Sequence, residues 1–207
     1  MKYILYLFLF LISLSCSKGQ GDFLELGKSE VIKNHFDRDD IRELNKILKF
    51  FDDHVCNSVE IETENLDECY KAFFSKNIDE SGKGNFFINI PYEKQLDLFN
   101  EITPSLFEKI WYFAKTWTHD VGDTLKTLNL KTKGPYPSLL KEIAQRNKGI
   151  EYYYNALINA GTISPSMIGN FTYNSSKYDI RKPEIRLIFA IHYLTLYDQY
   201  LRSKKYE

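Results

Sequence analysis

Apolar residues recur along most of this chain at steps of three and four, which is the spacing of a helix with one buried face. The clearest run is Ile41, Leu44, Leu48, Phe51 and Val55. Similar runs predict helices over about 40–56, 66–75, 92–102, 104–117, 138–159 and 183–200, with a shorter helix opening at Ser164 and Pro165. The pattern therefore predicts an all-α fold, a single globular domain of about seven helices.

The aromatic run after Pro104 is assigned to a helix because that period groups its large side chains. One face of such a helix would carry Phe107, Ile110, Trp111, Ala114 and Trp117. A strand over the same residues would divide the set between two faces. Only residues 86–90 are expected to form a short extended segment, which ends at Pro91.

The first residues follow a different pattern, with an unbroken apolar stretch from Tyr3 to Ile12 after the basic Lys2. This length suits the core of a secretory signal and is shorter than the roughly 20 residues that span a bilayer. The stretch closes with Ser13-Leu14-Ser15-Cys16, which resembles the cleavage box of bacterial lipoproteins. The resemblance implies a mature chain that starts at a diacylated Cys16. Ordinary signal-peptide cleavage is the alternative, because the family usually has its leucine one position earlier.

Export divides the chain into three parts. Residues 1–15 are predicted to be a signal peptide, 16–37 a lipidated N-terminus and loose tether, and 38–207 the helical domain. A helical turn at 29–34 is the one element expected in the tether. The resemblance also implies a bacterial membrane as partner, through the lipid on Cys16. Since Ser17 replaces the aspartate that retains some lipoproteins at the inner membrane, the outer membrane is favoured, with the domain in the periplasm or at the cell surface.

The remaining cysteines, Cys56 and Cys69, form an even pair in a compartment that permits disulfides. Cys56 would end one helix, and Cys69 would lie in the first turn of the next, after a cap at Asn65. Because these turns meet in an antiparallel helical hairpin, a bond between the two sulfurs is predicted near the start of the domain. Two separately buried thiols are the alternative.

Composition and charge narrow the function classes. The chain has 27 Lys and Arg against 28 Asp and Glu, a formal charge of −1, so it lacks the basic field of a nucleic-acid-binding protein. Hydrophobic residues make up 43% of the sequence, which is typical of a folded domain. No nucleic-acid partner is expected.

The four histidines give one weak candidate for catalysis. His119 and Asp120, with Asp123 nearby, resemble the His-Asp motif of the HD-type metal phosphohydrolases. The resemblance implies a divalent metal that activates water. His54 and Asp198 are candidates for the distant partners, but no motif identifies them. The alternative is a polar link in which Asp120 or Asp123 caps a helix. No zinc-finger or His-Glu-x-x-His spacing is present, so no metal or other cofactor is predicted.

The aromatic residues provide a candidate interface. Tyr152, Tyr153 and Tyr154 span about 300° of a helix, so they cannot all face one buried stripe. Tyrosine is enriched at protein interfaces, which makes this run a possible contact surface. The alternative is that Tyr153 and Tyr154 pack between helices, with Tyr152 at a partly wet edge.

Two hypotheses follow for function. The first is a lipid-anchored envelope protein that works by binding a protein partner, as an assembly partner, surface binder or immunity protein. The second is an envelope metal-dependent hydrolase that uses His119, Asp120 and Asp123. The first is preferred, because no Gly-x-Ser-x-Gly elbow or phosphate-binding loop accompanies the weak His-Asp pair.

Overall fold

The computed structural model describes residues 25–59, 65–83, 90–118 and 123–204, and it describes the backbone alone for 116–118 and 123–125. The predicted signal peptide and Cys16 lie outside the described residues. So do His119, Asp120 and all but the last residue of the expected extended segment. Within these ranges the chain is mostly helical, with one pair of strands.

Nine α-helices occur in the described part of the chain, against about seven predicted. They are α1 (Glu30–Lys33), α2 (Arg38–Ser58), α3 (Leu66–Gly82), α4 (Tyr92–Glu101), α5 (Pro104–Ile110), α6 (Pro135–Ala144), α7 (Lys148–Ala160), α8 (Pro165–Tyr173) and α9 (Pro183–Lys204). Short 3-10 helices cover Leu26–Lys28 and Ser175–Lys177. The predicted helix over 138–159 is two helices, because Asn147 caps a new one by accepting a hydrogen bond from the Ile150 amide.

The all-α prediction is wrong over the aromatic run after Ile110. Strand β1 (Trp111–Thr118) pairs antiparallel with strand β2 (Asp123–Leu130), with Trp111 opposite Leu130. β1 is rich in aromatic residues and threonine, and β2 also carries two threonines. Aromatic and β-branched residues favour a pleated, half-buried surface. The pairing places Trp111, Leu128 and Leu130 in the core. Because side chains alternate along a strand, the residues that were grouped on one predicted helix face are divided between the two faces of β1.

Helix α9 is the central element of the fold. Every residue from Ile185 to Thr195 is buried, so the helix is enclosed on all sides. Helices α2 and α3, the β-hairpin and the α7–α8 pair surround it. The Trp111 indole N–H donates to Thr195 Oγ1 at 2.7 Å, which fixes the base of the hairpin against α9.

The chain joins this core earlier than expected. Leu26, Ile32 and Phe36 are buried, and the Leu26 amide donates to Asn45 Oδ1 at 3.1 Å. The helical turn expected at 29–34 is present as α1. From Glu25 onward, the predicted loose tether is therefore folded against α2 and the rest of the domain.

Candidate functional site

A disulfide joins Cys56 in the last turn of α2 to Cys69 in the first turn of α3, with a Cα–Cα distance of 4.8 Å. The helical hairpin predicted from the sequence is thus present. The Asn65 side chain caps α3 by accepting a hydrogen bond from the Asp67 amide. The bond and the cap fix where α3 starts, and so fix the position of the α3 side chains.

A buried arginine ties the N-terminal segment to the core beside α3. Arg186 donates to Glu25 Oε2 at 2.6 Å, to Asp52 Oδ2 at 3.2 Å and to the Ile180 carbonyl at 2.9 Å. The Tyr70 hydroxyl donates to the other oxygen of Asp52 at 2.7 Å. Burial raises the pKa of the Asp52 carboxyl to about 6, an effect opposed by the charge of Arg186. The polar groups of this network bond to one another and to the backbone, so its role is structural.

Beside this network lies a groove of about 380 Å³, which we call the α3 groove. It runs between α3 and the segment that follows α8. Its lining consists of Asp67, Tyr70, Lys71, Phe74, Ser75, Ile78, Ser175, Ser176, Tyr178 and Ile180. This volume falls within the roughly 300–1,000 Å³ of typical ligand pockets.

The floor of the α3 groove is apolar and firmly held. Tyr178 packs edge-on against Phe171 and Phe189, with ring centroids 5.3 and 5.2 Å away. Asn170 Nδ2 donates to the Tyr178 hydroxyl at 2.5 Å. Behind the ring, Gly149 leaves room that a Cβ would fill, since a Cβ there would lie 2.7 Å from the Tyr178 ring. The floor is therefore formed before any ligand arrives.

The rim of the α3 groove offers hydrogen bonds. Among the described residues, none is hydrogen-bonded to the side-chain hydroxyls of Ser75, Ser175 or Ser176. An ion pair between Lys71 and Asp67 stands at one end. An apolar floor with free hydroxyls above it can hold an apolar side chain while the rim bonds neutral polar groups such as peptide amides.

The His-Asp candidate is not assembled by the described residues. Of its members, Asp123 is the first residue of β2 and follows the connection between the strands. The proposed partners are used elsewhere: His54 Nδ1 lies 2.6 Å from the Phe50 carbonyl, and Asp198 accepts from Arg202 and Tyr92. The hydrolase hypothesis stays a prediction.

The tyrosine run divides as its helical spacing requires. Tyr153 is buried and stacks on Phe171 at 4.5 Å, Tyr154 is half-buried, and Tyr152 is exposed. Tyr152 is the member of the run that a partner could reach. It lies on α7, outside the lining of the α3 groove.

Membrane spans, metal ligands and similarity to known proteins each bear on the function. No described helix has the combination of length and apolar composition that crossing a membrane requires. In the same ranges, no three His, Cys, Asp or Glu side chains are grouped as metal ligands. Comparison with protein-family models, curated proteins and solved structures finds no match for the chain.

Proposed function

We propose that this chain is a cell-envelope protein, anchored by lipid on Cys16, that works by binding a protein partner through the α3 groove. The observation that supports the proposal is the groove itself. It is a preformed apolar trough whose rim carries serine hydroxyls that no described residue hydrogen-bonds.

The chemistry of the groove favours a peptide segment. The apolar lining of the groove includes Phe74 and Ile78 from α3, and Tyr178 from the opposite side. One or two apolar side chains of a partner would replace water there, a change that contributes roughly 25 cal/mol for each Å² buried. The serine hydroxyls would bond the amides that flank those side chains.

The attachment of the lipid would keep the groove near a membrane. Glu25, the first residue that the structure describes, is nine residues after Cys16. A fully extended segment of that length reaches about 30 Å. Hydrogen bonds through Arg186 and Asp52 connect Glu25 to Tyr70, which lines the groove. The partner is therefore expected at or close to the same membrane.

The anchor is tested by mass spectrometry of the protein from envelope fractions. We expect a mature chain that begins at acylated Cys16, and a Cys16→Ser variant that leaves the membrane fraction. A chain that is cleaved elsewhere and carries no lipid would contradict the anchor, while the groove could still bind.

Binding is tested by selecting peptides from a displayed random library with the full mature chain. We expect enriched peptides with closely spaced apolar residues, whose affinity falls about tenfold or more for Ile78→Arg. The matched control is Ile158→Arg, because Ile78 and Ile158 are both 38% exposed and Ile158 lies on α7 away from the groove. Selected peptides that bind both variants equally would overturn the proposed role of the groove.

A further inference from the structure

The β-hairpin has one covered edge and one open edge. On β2, Gln199 Nε2 of α9 donates to the Leu128 carbonyl at 2.6 Å, so α9 covers this edge at Leu128. β1 pairs only with β2 in the described residues, and the sheet has two strands. Such an unpaired edge is a template for another strand.

The register shows which β1 residues present that edge. The Lys131 amide donates to the Ile110 carbonyl at 2.8 Å, which makes Trp111 and Leu130 a pair without mutual hydrogen bonds. Because such pairs alternate along an antiparallel ladder, Phe113 and Lys115 also direct their N–H and C=O groups away from β2. Phe113 and Lys115 are both exposed.

The same region carries a pair of positive charges on opposed strand positions. Lys115 lies directly opposite Lys126 across the two strands, and both are exposed. Like charges at opposed positions destabilise a strand pair. No described carboxylate forms an ion pair with either lysine. Next to them, the Arg202 guanidinium lies 4.9 Å from the centre of the Phe113 ring, although Arg202 is itself paired with Asp198.

We propose that the outer edge of β1 binds an extended segment of a partner protein that carries carboxylate side chains. The segment would add a third strand, bonding the outward amide and carbonyl groups of Phe113 and Lys115. Its acidic side chains would lie on the face that holds Lys115 and Lys126 and relieve their repulsion. A second copy of this chain is disfavoured as occupant, because it would bring the same two lysines toward this face.

The test uses two synthetic peptides of about nine residues, enough to span one strand. One alternates glutamate with valine, and the other has lysine in place of each glutamate. We expect the glutamate peptide to bind the full chain in calorimetry and to protect the Phe113 and Lys115 amides from hydrogen exchange. The lysine peptide is expected not to bind. Equal binding of the two peptides would overturn the role of charge.

Two proline variants separate the edge from the charge. Lys115→Pro removes an outward N–H from β1, and Lys126→Pro removes an outward N–H from β2, so each removes one cation and no ladder bond. Lys115→Pro is expected to weaken glutamate-peptide binding about tenfold more than Lys126→Pro does. Equal losses in the two variants would overturn the proposal.

A charge-reversed variant keeps the test valid if a proline disrupts folding. Lys115→Glu combined with Lys126→Glu should bind the lysine peptide and lose the glutamate peptide. Failure of this exchange would contradict the proposal. Sedimentation of the unmodified chain as a dimer that Lys115→Glu dissociates would also contradict it, because a second copy would then occupy the edge.

Discussion

His192 shows how strongly the interior of this protein constrains a single side chain. The ring is fully buried among Tyr153, Phe171 and Tyr193, and its Nε2 has no hydrogen-bond partner among the described residues. Its Nδ1 lies 3.3 Å from the Tyr153 hydroxyl. Burial lowers the pKa of His192 to about 3, so the folded protein holds a neutral imidazole in mild acid.

This burial predicts a loss of stability in acid that depends on one residue. The unfolded chain takes a proton on His192 below about pH 6.5, while the folded chain takes it only near pH 3. The stability from the neutral ring is therefore complete above pH 6.5 and declines as the pH falls toward 3. Between pH 7 and pH 5 the free energy of unfolding should fall by about 2 kcal/mol more in the unmodified protein than in His192→Phe.

Urea denaturation at the two pH values measures this difference. Asp52 acts in the opposite direction, since its folded pKa of about 6 lies above 3.8 and stabilises the fold as pH falls through that range. Both proteins retain Asp52, so its effect cancels in the comparison. An equal decline in the two proteins would show that His192 is not the group responsible.

Arg186 is predicted to be among the most sensitive charged positions in the described residues. Arg186→Ala would leave Asp52 buried without its cation and release Glu25, at an expected cost of about 3–5 kcal/mol. The matched control is Arg181→Ala, whose side chain is 81% exposed and pairs with Asp179 at the surface. That change should lower the stability far less, because an exposed ion pair contributes little to it. Chemical denaturation of both variants measures the contrast, and similar losses would refute it.

At the scale of elements, local signals predicted the starts of several helices well, but predicted some helix ends and the hairpin poorly. Asn65, Thr103 and Ser164 each cap a helix where the sequence indicated a start, because a cap depends on the next three residues alone. The strands depend on pairing between residues 111–118 and 123–130. Gly122 between two runs that each contain two threonines was the available signal, and the helical spacing of the large side chains concealed it.

The disulfide between α2 and α3 should contribute measurably to stability. Cys56 and Cys69 are 13 residues apart in the sequence. For a loop of that size, the loss of chain entropy in the unfolded state gives about 3 kcal/mol of stabilisation. Replacing both Cys56 and Cys69 by Ala should lower the free energy of unfolding by about that amount. Adding a reductant should destabilise the unmodified protein and leave the double variant unchanged. A reductant effect on both proteins would point to another cause.

At the scale of the whole molecule, the enclosure of α9 predicts where the fold opens last. Amide hydrogens between Leu187 and Thr195 are covered on every side by other elements. Their exchange should require global unfolding and therefore be the slowest in the chain. Exchange measured by mass spectrometry or NMR tests this, and faster exchange there than in α7 would contradict it.

The candidate site is a property of the whole molecule and not of any motif. Tyr70 and Phe74 come from a helix that the sequence predicts, but Tyr178 and Ile180 lie about 100 residues later, just before the helix predicted over 183–200. Gly149, from a third element, makes room for the Tyr178 ring. No spacing rule connects such residues, so the groove could not be predicted from the sequence.

The position of α9 also has a consequence for biosynthesis. It follows every other described element in the chain, yet α2, α3, the β-hairpin, α7 and α8 pack around it. While the ribosome is still translating Pro183 and beyond, the apolar sides of these elements that face α9 have nothing to cover them. The central core therefore cannot close until that stretch emerges, and we expect chaperones to shield the exposed apolar surface until then.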